Sequence, residues 1–318
     1  MRLALIALVT MSAYASAETL FTVPWGKEAG QLGYYNPSTP PFEQPYGEGP
    51  GGIAAGPSGE IWISDQFNDR ILRFDRKGTV LGAVGKVGEV RLARPRALWI
   101  DPGKSVAVVS SQDMKVLWLD QATHKLDVLE KADGKSFPQI EAVQGGPHGE
   151  LYVGDFMWSA LFRFERGGAA PVRSPWGLSG LATDKDGRVY SIEHREQAGK
   201  RPEDYLVSKG ASGAARDHFP LIAPELQSPY LVGLDPQGNA VIRFIKTLPK
   251  VKGVADANPN RFLIVRYDPT GKEGKPLGET QVSVVTQQFA ITPEGSVLGL
   301  SFDAMAAPQG GVDVVEFK

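Results

Sequence analysis

The sequence predicts an all-β chain folded as a six-bladed β-propeller, and three observations carry that prediction. Residues 51–85 alternate short apolar runs with turn chemistry, the same unit returns five more times, and no long helical period competes with it. In the first unit the expected strands are 52–56, 60–64, 70–74 and 79–84. They are separated by a Pro57-Ser58-Gly59 turn, a polar loop through Asn68 and a Lys77-Gly78 turn. Four short strands joined in this way make one antiparallel meander.

The turn after the first strand recurs as Asp101-Pro102-Gly103, Pro147-His148-Gly149, Asp184-Lys185-Asp186-Gly187, Asp235-Pro236-Gln237-Gly238 and Thr292-Pro293-Glu294-Gly295. The successive turn glycines lie 44, 46, 38, 51 and 57 residues apart, a spacing that suits one four-stranded blade per repeat. A β-rich second strand follows each turn, as in Ile61-Trp62-Ile63, Leu151-Tyr152-Val153 and Ala240-Val241-Ile242. The third strand recurs as Leu72-Arg73-Phe74, Leu117-Trp118-Leu119, Phe162-Arg163-Phe164 and Ile264-Val265-Arg266-Tyr267. A single sheet of about 45 residues cannot cover both of its faces, so such units stack side by side around an axis.

The ends of the chain complete the ring. Thr19-Leu20-Phe21-Thr22-Val23 reads as a strand with nothing before it to pair with, whereas the last repeat stops at its third strand near Lys318. The N-terminal strand is therefore expected to take the fourth place in the last blade, which removes the exposed edge of an open array. Residues 26–49, rich in Pro, Tyr and Gly, read as an ordered strap between blades or as an aromatic contact surface for a ligand.

The repeat resembles the NHL family, whose units run as a G-I-A entry, a turn, a G-x-I-Y-V-A-D strand, N-x-R-I, Phe and a G-x-x-G junction. Gly52-Ile53-Ala54, the run Gly59-Glu60-Ile61-Trp62-Ile63-Ser64-Asp65, Asn68-Asp69-Arg70-Ile71, Phe74 and Gly85-Lys86-Val87-Gly88 carry the match here. The resemblance implies an NHL-like propeller acting as a ligand- or protein-binding, scaffolding module.

Met1-Arg2, the apolar run 3–9 and Ala15-Ser16-Ala17 have the three parts of a secretory signal peptide. Residues 1–17 are accordingly expected to be removed and residues 18–318 to form one domain, periplasmic or secreted. No stretch has the ~18 uninterrupted apolar residues of a spanning helix. The chain has no cysteine, so an exported form has no disulfides and rests on its core. A net charge of -2 with both signs interspersed gives no electrostatic footprint for nucleic acid or anionic lipid.

The loops between second and third strands are expected to lie on the same face as the junctions entering each blade, around the channel mouth. Two are long, 194–202 and 246–259, and belong to neighbouring blades. Strand ends on that face gather Glu48, Asp65, Arg96, Asp113, Glu141, Asp155, Glu193, His194 and Asp303, and the long loops add Arg201 and Lys250. Such a face suits a protein or a small polar ligand, and an acidic ring suits Ca2+ or another divalent cation. For Asp65 and Asp155, which recur with the repeat, turn capping is the more economical role. His194, beside Glu193, Arg195 and Glu196, is a candidate base or ligand or else part of a solvated loop. No nucleophile elbow, phosphate loop, HExxH or CxxC pattern is present.

Gly47-Glu48-Gly49-Pro50, with Trp62 and Asp65 following, is similar to the opening of the SMP-30/gluconolactonase family. That resemblance implies the alternative function, divalent-metal-dependent hydrolysis of lactones or related esters, with Glu48 as a metal ligand. Ser179 stands before Gly180-Leu181 where that family has Asn.

If Ala15-Ser16-Ala17 directs processing, the exported protein begins at Glu18. An intact mass measured on protein from the cell envelope should fit residues 18–318, and retention of residues 1–17 in that material would reject the assignment.

Overall fold

The computed structural model describes residues 17–35, 48–101, 105–120, 123–167, 170–176, 179–196, 203–210, 215–221, 226–247, 260–268, 274–281, 287–302 and 310–318. Regular structure among them is entirely β, in six four-stranded antiparallel sheets and two short hairpins. The first blade comprises Gly52–Ala55, Ile61–Asp65, Arg70–Phe74 and Val80–Val84, within a residue or two of the strands expected for it. Blades two and three begin with Pro95–Asp101 and Ile140–Gly145, blades four and five with Ala182–Thr183 and Leu226–Leu234, and blade six with Phe289–Ile291. These first strands neighbour one another all the way round, so they form the wall of the central channel.

Blade six is completed as the two chain ends predicted. Glu18–Pro24 pairs antiparallel with Gly311–Phe317, from Glu18 opposite Glu316 to Pro24 opposite Gly311. Without this strand, Gly311–Phe317 would present a row of unpaired backbone donors and acceptors.

The core is divided among the seams between blades. One buried apolar cluster occupies each of the six, as period-2 strands require when both faces of every sheet are covered. At the closing seam Phe21 of blade six packs on Phe74 of blade one, with ring centroids 5.5 Å apart. On the turn side of the same seam Arg76 donates to the buried Glu316 carboxylate at 2.5 Å, and Ser296 donates to it as well. Burial raises the pKa of Glu316, but the bonds from Arg76 and Ser296 and the charges of Arg76 and Lys318 outweigh it and hold the carboxyl below its usual range.

The turns explain the recurring glycine. Gly59, Gly149, Gly187, Gly238 and Gly295 have φ between +76° and +92°, and each donates its N–H to the carbonyl three residues back. A side chain is disfavoured in that left-handed region, so the repeat is visible in the sequence as a glycine at a fixed place. A second signature sits at the opposite end of the blades. Asp69, Met114 and Ser159, each just before a third strand, take φ near +50° in equivalent loops.

One expectation changes in detail. The extra length of blades four and five is partly strand, because pairing continues beyond the body of the blade. Val189–Arg195 pairs with Glu203–Lys209 out to Arg195 opposite Glu203, and Ala240–Thr247 pairs with Asn260–Tyr267 out to Thr247 opposite Asn260. His194 and Lys246, expected in loops, are therefore strand residues, which lets cross-strand partners fix their side chains.

Deleting residues 18–24 should lower cooperative stability by several kcal/mol, at ~25 cal/mol per Å² of apolar area exposed. Deleting residues 250–259, which lie between the paired ends Thr247 and Asn260, should cost much less. Equal losses in denaturant titrations of the two variants would contradict the closing role of the N-terminal strand.

Candidate ligand face at the channel mouth

Antiparallel connectivity puts the junctions entering each blade and the loops between second and third strands on one face. The tight glycine turns occupy the other. On the first of these faces, three inner strands break their pairing register. The shifts fall between Pro95 and Leu98 in blade two, between Ile140 and Ala142 in blade three, and between Gln227 and Tyr230 in blade five. Arg96-Ala97, Glu141 and Ser228-Pro229 are the residues inside these bulges, and Ser228 takes φ +49°. A bulge re-aims side chains and ends regular pairing, and bulges concentrate at rims and sites.

The backbone groups freed there find partners across the channel wall. The N–H of Leu98 donates to the side-chain carbonyl of Gln287, which enters blade six, at 2.9 Å. Gln287 also takes the N–H of Ile53 on its main-chain oxygen and donates its own N–H to Gly51. One residue thereby connects the inner strands of blades six, one and two. Blades four and five approach as closely, for Leu231 donates to the Ser179 carbonyl and a Cβ on Gly180 would meet the Leu231 backbone at 2.2 Å. Gly180, at φ +94°, is required there.

Asp65 and Asp155 are fully buried and hold chain rather than face the mouth. Asp65 accepts the Gly33 N–H at 2.8 Å, the Asn68 amide at 2.7 Å and Arg70 Nε at 2.9 Å, while Arg70 continues to the carbonyls of Glu28 and Gln31. This network fastens residues 26–33 of the strap to blade one. Burial pushes the Asp65 carboxyl upward, against the bonds from Asn68, Gly33 and Arg70. Asp155 accepts the N–H groups of Gln139 and Trp158, tying the junction to its own loop. Both fit the turn-capping role.

Arg96 and Glu141 are half-buried, each with a glutamine partner. Arg96 Nε reaches Gln66 Oε1 at 3.3 Å, and Gln139 donates to Glu141 at 2.6 Å. Glu48 forms an ion pair with Arg94 at 3.6 Å, its backbone bonded to Tyr35. Glu193 is matched by Lys209 and Arg195, and Asp113 by Lys115. His194 Nδ1 lies 2.9 Å from Asp204 across the extended hairpin, with the ring 57% exposed. Arg201, Lys250 and Asp303 lie outside the described residues. The strap aromatics are packed, Tyr34 on Trp25 and Tyr35 stacked on Phe67. Phe156 and Met157, in the loop of blade three, are instead 45% and 63% exposed.

Two mouth residues escape a reading by motif or strand end. Tyr230 follows the bulge of blade five, and Arg243 is its cross-strand partner. The Arg243 guanidinium lies 4.9 Å from the Tyr230 ring centroid and 4.5 Å from that of Phe262. Burial lowers the Arg243 pKa and raises that of Tyr230, which also feels the charge of Glu141 on the inner strand two blades away. The only sequence signal would have been the polar Arg243 in the apolar run Ala240-Val241-Ile242-Arg243-Phe244-Ile245.

No family model matches the chain, and no curated protein matches it. Solved structures do. They include a protein whose assignment as a gluconolactonase is itself provisional, with TM-score 0.56, 14% identity and coverage of 96% of this chain and 93% of that one. Regucalcin from Agrobacterium tumefaciens, described as a calcium-binding protein, matches with TM-score 0.52 and 14% identity over 96% and 93%. An aldose sugar dehydrogenase from Streptomyces coelicolor, solved with PQQ bound, gives 0.52 and 16% over 95% and 98%. At these identities the likeness is one of fold, and propellers host unrelated chemistries.

The described residues do not assemble the metal site that the SMP-30-like resemblance implies. Glu48 is engaged by Arg94, and among the described residues no three His, Asp or Glu side chains come together as a cation site.

Substituting Asp65→Ala should cost about 3 kcal/mol, because Arg70 is left partly buried without its anion. His194→Ala, which breaks an exposed pair, should cost under ~1 kcal/mol. Urea midpoints of the two variants check this ordering, and an equal effect would remove the strap-holding role from Asp65.

Proposed function

We propose that the protein is an exported, NHL-like binding module whose ligand contacts lie on the mouth face. The observation that supports this most is the cluster of three bulges at one end of the channel wall, with Arg96 and Glu141 inside two of them. Register shifts occur elsewhere in the blades as well, but these three fall at the same end of three inner strands. The extended hairpins of blades four and five raise one side of the same rim, and exposed Phe156 and Met157 supply apolar contact on blade three. A mixed rim of this kind suits a small polar ligand or a protein surface. Glu48, Glu193 and His194 belong to this proposed rim, as do Arg201, Lys250 and Asp303 by their position in the repeat. Export rests on the leader-like residues 1–17; no helix among the described residues is long and apolar enough to cross a membrane.

The alternative is a divalent-metal-dependent hydrolase of lactones or related esters. Its support is the Gly47-Glu48-Gly49-Pro50 entry and the shared propeller fold, and we place it second because Glu48 is the one ligand of that family matched in the sequence and no cation site comes together among the described residues. Stoichiometric Ca2+ or another divalent metal in untagged protein, found by elemental analysis, would reverse that order.

The face is tested by thermal-shift screening of small polar compounds. A ligand at a hundred times its Kd stabilises by about 2.7 kcal/mol, enough to score. The shift should be lost in Arg96→Glu and weakened in Arg201→Glu, yet retained in Lys185→Glu and Glu294→Lys, whose side chains are exposed on the turn face. Glu60 and Glu150 are unsuitable controls, because each carboxylate accepts a turn N–H, from Ser58 and His148. Loss of the shift only in the turn-face variants would put the site on the other face.

A further inference from the structure

We propose that Arg243 and Tyr230 form a carboxylate-reading subsite in the wall of the mouth, selective for a small monocarboxylic acid. The inference deepens the ligand-binding reading above and rests on it for the face, but it names different residues and a chemical class.

The Arg243 guanidinium has aromatic rings over it at 4.9 Å and 4.5 Å, from Tyr230 and Phe262. Stacking occupies the faces of a planar cation and leaves its edge, where all five N–H donors point. Among the described residues that edge meets no acceptor. Nε is buried without a hydrogen-bond partner, and the group forms no ion pair or hydrogen bond among the described residues. Several other partly buried arginines have carboxylate partners, Arg70 with Asp65, Arg76 with Glu316, Arg166 with Asp127 and Arg266 with Asp235. A desolvated cation without an anion is unfavourable for the folded state by itself. An incoming carboxylate matches the planar edge, since its two oxygens can accept parallel N–H bonds.

Tyr230 adds a donor and a position. Its hydroxyl has no hydrogen bond among the described residues, and burial keeps it protonated across the neutral range. Tyr230 lies on the inner strand of blade five, which lines the channel, and Arg243 sits opposite it on the neighbouring second strand. Arg73 is the contrast. It stacks on Trp62 at 4.5 Å and also has a buried, unpartnered Nε, but it lies on a third strand, away from the channel wall.

Glu141 also sets the charge of the ligand. Glu141 stands in the bulge at the mouth end of the blade-three inner strand and its charge bears on Tyr230, so a second negative charge on a ligand held there would be repelled while a hydroxyl or amino donor would be favoured. A hydroxy or amino monocarboxylate is favoured over phosphate or a polycarboxylate.

The test uses the full mature protein labelled with 15N-arginine, titrated with lactate and, at matched ionic strength, with sodium chloride or inorganic phosphate. Arg243→Met assigns the Arg243 Nε–H resonance; should that variant fail to fold, Arg243→Lys assigns it. The expected result is a saturable shift of that resonance with lactate, weaker with phosphate and absent with chloride. Tyr230→Phe should weaken lactate by about fivefold, the loss of one hydrogen bond. Glu141→Gln should narrow the gap between lactate and phosphate. An Arg243 signal that stays still, or moves equally with chloride, overturns the inference. If other mouth resonances move while Arg243 does not, this subsite fails and the mouth-face reading stands. If Arg243 responds but the thermal-shift screen fails, the wider ligand face is the part that is lost.

Discussion

Six twisted sheets packed face to face close into a ring only if the last one finds a fourth strand, and residues 18–24 bring it from the other end of the chain. Everything else in the molecule is conditional on that pairing. It covers the open edge of Gly311–Phe317, puts Phe21 against Phe74, and delivers the chain at Trp25 to the start of the strap. The closing seam is then held on both faces by charged networks, Asp65 with Asn68 and Arg70 on one, and Glu316 with Arg76 on the other. The chain itself crosses this seam through the strap, and the break in covalent continuity lies inside blade six, between 18–24 and 311–317, which in a chain without cysteine are joined by strand pairing alone.

Closure also explains why the mouth can be irregular. With one apolar cluster in each seam, the bodies of the blades are fixed independently of what happens at the ends of the inner strands. Bulges in blades two, three and five can therefore abandon pairing locally, provided that the freed groups find partners, as the Leu98 N–H does on Gln287. The seam between blades three and four has the smallest cluster, of Tyr152, Leu161, Trp176 and Leu181. Trp176 supplements it with a hydrogen bond from its indole to Gly180, so the ring stays continuous beside the raised rim.

The fold was legible because its constraints act locally and repeat. A glycine in the turn after each first strand, an alternating second strand, an N-terminal strand with no earlier partner and a last repeat that lacks its fourth strand are all visible in the residues, and the five of those glycines that are described take φ near +80°. The NHL-like pattern in the first unit pointed the same way, although no family model matches the chain. The candidate site was legible only in part. Arg96 and Glu141 were reached because they stand at strand ends, whereas Asp65 and Asp155 stood at strand ends too and proved to be buried holders of turns. Arg243, Tyr230 and Gln287 depend on register shifts and on contacts between blades, which no local pattern encodes. The ends of the extended hairpins read as loops for a related reason, since the run beginning at His194 is polar while Asp204 and Glu203 pair with His194 and Arg195 across the hairpin.

Charge at the mouth is arranged by pairing more than by number. Glu48 with Arg94, Glu193 with Lys209 and Asp113 with Lys115 neutralise one another locally, so an acidic ring counted from the sequence is largely cancelled in three dimensions. Pairs this exposed contribute little to stability and are easily rearranged by a partner. A ligand entering the channel would feel chiefly the charges whose partners are neutral amides or aromatic rings, namely Arg96 beside Gln66, Glu141 beside Gln139 and Arg243 between Tyr230 and Phe262. An amide orients a charged group without discharging it, and a stacked ring does the same for a guanidinium. The lining thus keeps a small set of charges fixed in direction inside a rigid wall, which is the preorganisation that makes selective binding of a polar molecule affordable.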